Sequence, residues 1–350
     1  MRRVPRPGAG AARQRRARAT ISARSRATIS AQYGPRMTED DAPALIGYDG
    51  SEPAAEAIRA AAALLPGATA VIAYVCDEPL RLGDAAAARV ALPDEVIARA
   101  VRDHEAAATA EAERIAEAGA AIARDAGLAA TAAVMASDSP WRGLCAAAEE
   151  HGAGVIACGS RGRGGVSRAL LGSTSSSLLH RSPLPVLVVP PGDGRPTGPA
   201  VIGYDGSDGA REAIALTARL LPGRPVLVVH GWTSPIRRSL LDAPLDEIQQ
   251  VASTLDELFA GDADEVAGEG AALARSHGLD AQALTVASAP VAWRALIEAA
   301  RAQQAALIVT GSRGRGAMAS TVLGSVSAGL VHNAEVPVLV ARGPAGSAAR

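Results

Sequence analysis

Residues Gly159–Ser177 read GSRGRGGVSRALLGSTSSS, and residues Gly311–Gly329 read GSRGRGAMASTVLGSVSAG. Glycines stand at matching points: Gly159, Gly162 and Gly172 before Ser173, then Gly311, Gly314 and Gly324 before Ser325. Each stretch follows a short apolar run, VIAC (Val155–Cys158) or LIVT (Leu307–Thr310), which reads as a buried strand. Each ends in the start of a helix, where free N–H groups and the positive end of the dipole favour an anion. Glycine lets the backbone approach a ligand closely. The hydroxyls of Ser173, Thr174 and Ser325 add donors, and Arg161, Arg163, Arg313 and Arg315 add charge. The expected ligand of each loop is the phosphate of a nucleotide. A tight turn with solvated arginines is the competing reading, and recurrence of the full spacing counts against it.

Working outward, the rest of the chain repeats as well. PALIGYDGSEPAAEAIRAAAALLPG (Pro43–Gly67) pairs with PAVIGYDGSDGAREAIALTARLLPG (Pro199–Gly223), and LPVLVVP (Leu184–Pro190) with VPVLVAR (Val336–Arg342). The offset is 156 residues at the first pair and 152 at the second, a domain duplication rather than a solenoid period. The stretch PPGDGRPTG (Pro190–Gly198) joins the copies. The expected organisation is a disordered basic extension over 1–40, one domain over 41–191, a linker over 192–198, a second domain over 199–343 and a disordered tail over 344–350. Met37, opening MTEDDAPALIGYDGS, reads as an alternative start.

In the first copy, strands are expected at Ala44–Tyr48, Ala70–Val75, Ala130–Ala136, Val155–Cys158 and Val186–Val189. Helical patterns run over Glu52–Leu65, Asp94–Ala126 and Pro140–His151, the last just after SDS, an N-cap signal, and a fourth helix starts at Ser173. The fold class is therefore α/β: two tandem doubly wound domains, each a five-stranded parallel sheet with helices on both faces. In such a sheet ligands bind beyond the carboxyl ends of the strands, where strand order reverses. GYDGS and the glycine loop both sit at strand ends. The last strands, PVLVV and PVLVA, are apolar and near a sheet edge, so the halves are expected to pack through them and two chains to form a homodimer.

Composition narrows the function. The chain has 350 residues, and all 35 of its basic residues are arginine. Without lysine it cannot be a standard P-loop NTPase or form a Schiff base. Residues 1–36 hold ten arginines and no acid, so the net charge of −1 conceals a body at −11. That body argues against nucleic-acid binding. No apolar run is long enough for a membrane helix. Cys76, Cys145 and Cys158 form no CxxC pair, which fits a reducing cytoplasm, and Cys76 and Cys158 read as core residues. The histidines show no HxH or HExxH spacing, so no metal site is expected; His180 and His332 occupy equivalent helix ends. No GxSxG elbow is present.

The spacing G-x2-G-x9-G-[ST] after the fourth strand, complete in both halves, resembles the ATP-binding branch of the universal stress protein family, in tandem form, over residues 42–342. The resemblance implies an adenine nucleotide alpha hydrolase-like sheet. It implies that Asp49 and Asp205 lie near adenine or ribose, with Gly47 and Gly203 letting the strand end approach. It places Val75 against adenine through its backbone, and Gly231 in the second half, where the side chain departs from the pattern. It assigns ribose and α-phosphate to Gly159 and Gly162, and to Gly311 and Gly314; Ser160, Arg161, Arg163 and Gly164, with Ser312, Arg313, Arg315 and Gly316, are expected at the nucleotide as parts of the same loops. The outer phosphates fall to Gly172, Ser173 and Thr174, and to Gly324, Ser325 and Val326. The implied cofactor is ATP, with Mg2+ carried through the nucleotide. The implied role is a regulator rather than an enzyme, because no His or Lys base is fixed beside Asp49; the alternative is a slow ATPase or autophosphorylating enzyme using Ser173 or Ser325.

Overall fold

A computed structural model of the chain describes residues 42–77, 94–162, 171–192, 197–232, 246–287, 291–314 and 323–342. The basic extension, the tail, most of the linker, and Arg163, Gly164, Arg315 and Gly316 lie outside the described residues.

The first half runs β1 (Ala44–Gly47), α1 (Glu52–Leu64), β2 (Thr69–Cys76), α2 (Asp94–Asp125), β3 (Ala129–Ala136), α3 (Pro140–Glu150), β4 (Val155–Gly159), α4 (Ser173–Arg181) and β5 (Val186–Val189). The second repeats it as β6 (Ala200–Gly203), α5 (Asp208–Leu220), β7 (Val226–Trp232), α6 (Asp246–Ser276), β8 (Ala281–Ala287), α7 (Ala292–Ala302), β9 (Leu307–Gly311), α8 (Ser325–Asn333) and β10 (Val338–Ala341). Every expected strand of the first half is present. The fourth extends one residue further, because Gly159 pairs with Val189 of β5.

The strands form one ten-stranded sheet in the order β3-β2-β1-β4-β5-β10-β9-β6-β7-β8. All pairs within each half are parallel. The halves meet where β5 and β10 run antiparallel, with Leu187 opposite Leu339. The last strands thus pair with each other inside one chain, and β3 and β8 are the remaining edges.

Helices cover both faces of the sheet, so its central strands are buried on both sides and read as continuous apolar runs. One core, on the side of α1, α2, α5 and α6, holds Ile46, Ile58 and Ile72 with Ile202, Ile214 and Val228. The other, under α3, α4, α7 and α8, holds Leu45, Ile156 and Leu178 with Val201, Ile308 and Leu330. Each core is continuous across the seam. Two arginines clamp it: Arg224 donates to the Gly198 carbonyl at 2.8 Å and to Ala63 of α1 at 3.3 Å, and Arg342 donates to the Leu179 carbonyl of α4. Burial, and Arg313 nearby, push the Arg342 guanidinium down from its ordinary value.

Candidate functional site

The chain leaves β1 for β2 on one side and returns through β4 on the other, so strand order reverses between β1 and β4, and again between β6 and β9. Crevices open beyond the carboxyl ends of strands at such points. In each half, GYDGS and the glycine loop flank this crevice.

GYDGS builds a turn and a helix start from one carboxylate. Asp49 Oδ1 accepts from the Ser51 N–H at 3.0 Å and from its hydroxyl at 2.5 Å. Ser51 is the N-cap of α1 and accepts from the Ala54 N–H. At the start of α5, Asp205 Oδ1 likewise accepts from the Ser207 N–H at 3.0 Å, and Ser207, the N-cap, accepts from the Ala210 N–H. The intervening Gly50 and Gly206 sit at φ 83° and 76°, a left-handed conformation that favours glycine. The second carboxylate oxygen faces the glycine loop. A Cβ on Gly162 would lie 2.6 Å from Asp49 Oδ2, and one on Gly314 would lie 2.8 Å from Asp205 Oδ2. Both aspartates are thus committed to hydrogen bonds as acceptors.

Gly172 and Gly324 are the N-caps of α4 and α8, and no side chain caps either helix. In the second half the first turn of α8, Gly324–Ser327, lines the crevice. The loop is fastened behind them by Ser160 and Ser312, both buried. Ser160 N–H donates to Val189 at 2.7 Å and its carbonyl accepts from Gly172 N–H at 2.8 Å; Ser312 does the same with Ala341 at 3.0 Å and Gly324 at 2.8 Å. Ser175 and Ser327, absent from the sequence expectation, tie the helix back to the loop through the Ser160 and Gly311 carbonyls.

In the second half these groups enclose a cavity of about 580 Å³. Gly203, Asp205, Gly231, Gly311, Arg313, Gly314, Gly324, Ser325 and Val326 all line it; Ser312 does not. Unforeseen lining residues include Tyr204, His230, Leu296 and Leu323. Tyr204 donates to Glu269 at 2.8 Å, and Glu269 also accepts from Arg211 at 2.9 Å; burial and this carboxylate push the Tyr204 phenol up to about 12. In the first half, Gly47 packs against Leu144, Gly159 against the Pro53 carbonyl, and Ser173 is exposed at the helix start beside partly buried Thr174. Arg161 departs from its partner Arg313. It borders a separate cavity of about 470 Å³ between the halves, shared with Pro190 and with Val331–Glu335 at the end of α8.

The departure at Gly231 has a steric cause. A Cβ there would lie 2.7 Å from Ala295 Cβ on α7. In the first half the strand carries Val75 instead, and the facing position on α3 is Gly143, whose added Cβ would lie 2.6 Å from Val75 Cγ1. The bulk has moved from strand to helix across one contact. Gly231→Val is expected to destabilise the protein by about 1–3 kcal/mol through overpacking, and adding Ala295→Gly to recover most of that loss. Denaturant unfolding of the single and double variants measures the coupling; strictly additive effects contradict it.

Among the described residues no cluster of three or more His, Cys, Asp or Glu side chains is placed to hold a metal, and no helix is long and apolar enough to cross a membrane. Burial drives the Cys158 thiol up to about 12, consistent with a core residue; Cys76 is only partly buried.

Comparison with known proteins agrees with this architecture. A universal stress protein of Mycobacterium tuberculosis is 33% identical over 195 residues, covering 54% of this chain and 61% of the relative. One from Mycolicibacterium smegmatis is 31% identical over 201 residues, with the same coverage. The chain thus spans about 61% of the length of these curated relatives. A crystal structure of a universal stress protein from Archaeoglobus fulgidus shares the fold, with TM-score 0.56 and 20% identity over 87% of this chain and 99% of that one. The model of the universal stress protein family matches twice, over residues 43–190 and 197–342, one match per half of the ten-stranded sheet, and the chain belongs to that family.

Proposed function

We propose that the protein is an ATP-binding regulator of the stress response, acting in the cytoplasm, with one nucleotide site per half. The observation that carries this reading is the crevice of the second half. There a glycine loop and an uncapped helix N-terminus face one end of a cavity whose other end is walled by Val229, Ala292 and Leu296. Anion donors at one end and apolar walls at the other fit the two ends of a nucleotide. Arg313 adds charge at the phosphate end. Mg2+, when present, is carried by the phosphates, since the described residues supply no metal cluster of their own. Asp49 and Asp205 shape the turns, accepting from Ser51 and from the Ser207 N–H at the starts of α1 and α5, and the chemistry this supports is binding. ATP binding then favours one conformation or assembly of the protein, including association of two chains.

Equilibrium titration with ATP, with and without Mg2+, is expected to show saturable binding at two sites per chain. Undetectable binding at millimolar ATP rejects the reading. A long incubation with Mg2+ that yields ADP or phosphoprotein at Ser173 or Ser325, both exposed at their helix starts, replaces it with the ATPase or autophosphorylation alternative.

A further inference from the structure

The two halves carry different polar side chains near the end of the second strand of each. On β7 of the second half, His230 lines the cavity beside Val229 and Gly231; at the same point of β2 the first half carries Tyr74. His230 Nδ1 lies 2.7 Å from the backbone carbonyl oxygen of Tyr204. A carbonyl oxygen can only accept, so Nδ1 carries the proton and the neutral ring keeps an unprotonated Nε2. Among the described residues Nε2 has no hydrogen-bond partner. The strand thus fixes the tautomer and leaves a lone-pair acceptor on a half-buried ring at the cavity wall. A tyrosine hydroxyl at this place can donate or accept, and so imposes no such preference.

Phosphates held at the glycine loop after β9 and the start of α8 put the base of a nucleotide toward the end of β7, where Val229, Ala292 and Leu296 line the α7 side and His230, one residue on from Val229, lies on the Tyr204 side. We propose that His230 is a specificity-determining residue of the second site, accepting a hydrogen bond from the exocyclic amino group at position 6 of adenine and disfavouring purines that carry an oxygen there. The inference rests on the reading of this crevice as a nucleotide site. A 6-oxo purine presents an acceptor to an acceptor, leaving both without a donor in a partly dry wall.

The test isolates the second site with Gly162→Asp in the first, then compares ATP with ITP, which differs at position 6, by equilibrium titration. With His230 intact, ATP is expected to bind about tenfold more tightly than ITP, the worth of one hydrogen bond of this kind. His230→Phe removes the acceptor, and His230→Gln offers an amide that can turn to suit either base. Both are expected to bring the ATP/ITP ratio close to one, and thermal unfolding confirms that each variant is folded. A purely structural role would weaken both nucleotides together and leave the ratio unchanged. A ratio near one in the protein with His230, or a ratio unmoved by both substitutions, overturns the proposal while leaving the nucleotide site standing. If neither nucleotide binds, the site reading falls and the proposal with it.

Discussion

Replacing Gly162 and Gly314 with aspartate is expected to weaken ATP binding at least a hundredfold, the largest functional effect foreseen for any pair of substitutions here. Two causes add at each site. The first is space: the position of a new Cβ is already within 2.6 Å of Asp49 Oδ2, or 2.8 Å of Asp205 Oδ2, so the loop cannot keep its path over the carboxylate. The second is charge: the new carboxylate stands beside an existing one and close to the start of α4 or α8, where the phosphates are expected. Like charges brought together cost several kcal/mol, and about 2.8 kcal/mol is a hundredfold in affinity. Each single variant should silence one site and leave the other, so a titration would read half the stoichiometry. The substituted loops lie outside both cores, so unfolding midpoints should move little. Unchanged ATP affinity in the double variant would remove the glycine loops from the site.

A substitution at the seam should have the largest effect on stability. Val340 pairs with Val186 on β5 and with Thr310 on β9, and is fully buried. Val340→Pro removes a ladder hydrogen bond from the middle of the sheet and forces a fixed φ on a strand held on both sides, at a cost of about 3 kcal/mol or more. Loosening β10 also uncovers the edge of β5, and a bare apolar edge recruits other chains. Denaturant unfolding should show the loss, and light scattering should show association that the parent protein lacks. A variant equal to the parent in both measurements would mean that the β5–β10 pairing contributes little to cohesion of the two halves.

Most of the fold was open to reading in the sequence because its elements announce themselves locally. The strands of a sheet covered on both faces are short unbroken apolar runs, such as Val186–Val189, and the long covering helix expected over Asp94–Ala126 ends within one residue of its observed limit. The two loops at the strand ends were visible because they occur twice with the same spacing. What the sequence withheld depends on pairs of distant residues. Nothing local to Gly231 reveals that Ala295 has taken its space, and nothing local to Val338–Ala341 says that its pairing with β5 runs antiparallel, with Leu339 opposite Leu187. Ser312 was expected at the ligand because it lies inside the motif; the structure adds a role the motif does not show, its backbone fastening the loop through Ala341 and Gly324. The SDS sequence before α3 does mark the N-cap, Ser139, but the hydroxyl that closes the turn belongs to Ser137, which bonds the Ser139 carbonyl and N–H. His230 carried no motif at all, and its interest comes only from the carbonyl across from it.

The antiparallel join of β5 and β10 relates the two halves by an approximate twofold axis, as if two copies of a single-domain ancestor had been fused into one polypeptide. A true pair of identical subunits must carry every change twice, on both sides of its axis. The fused chain is free of that rule. It can hold Arg342 on one side of the seam and Pro190 on the other, or a histidine beneath one crevice and a tyrosine beneath its twin, always at a fixed one-to-one ratio. Covalent linkage here makes asymmetry heritable.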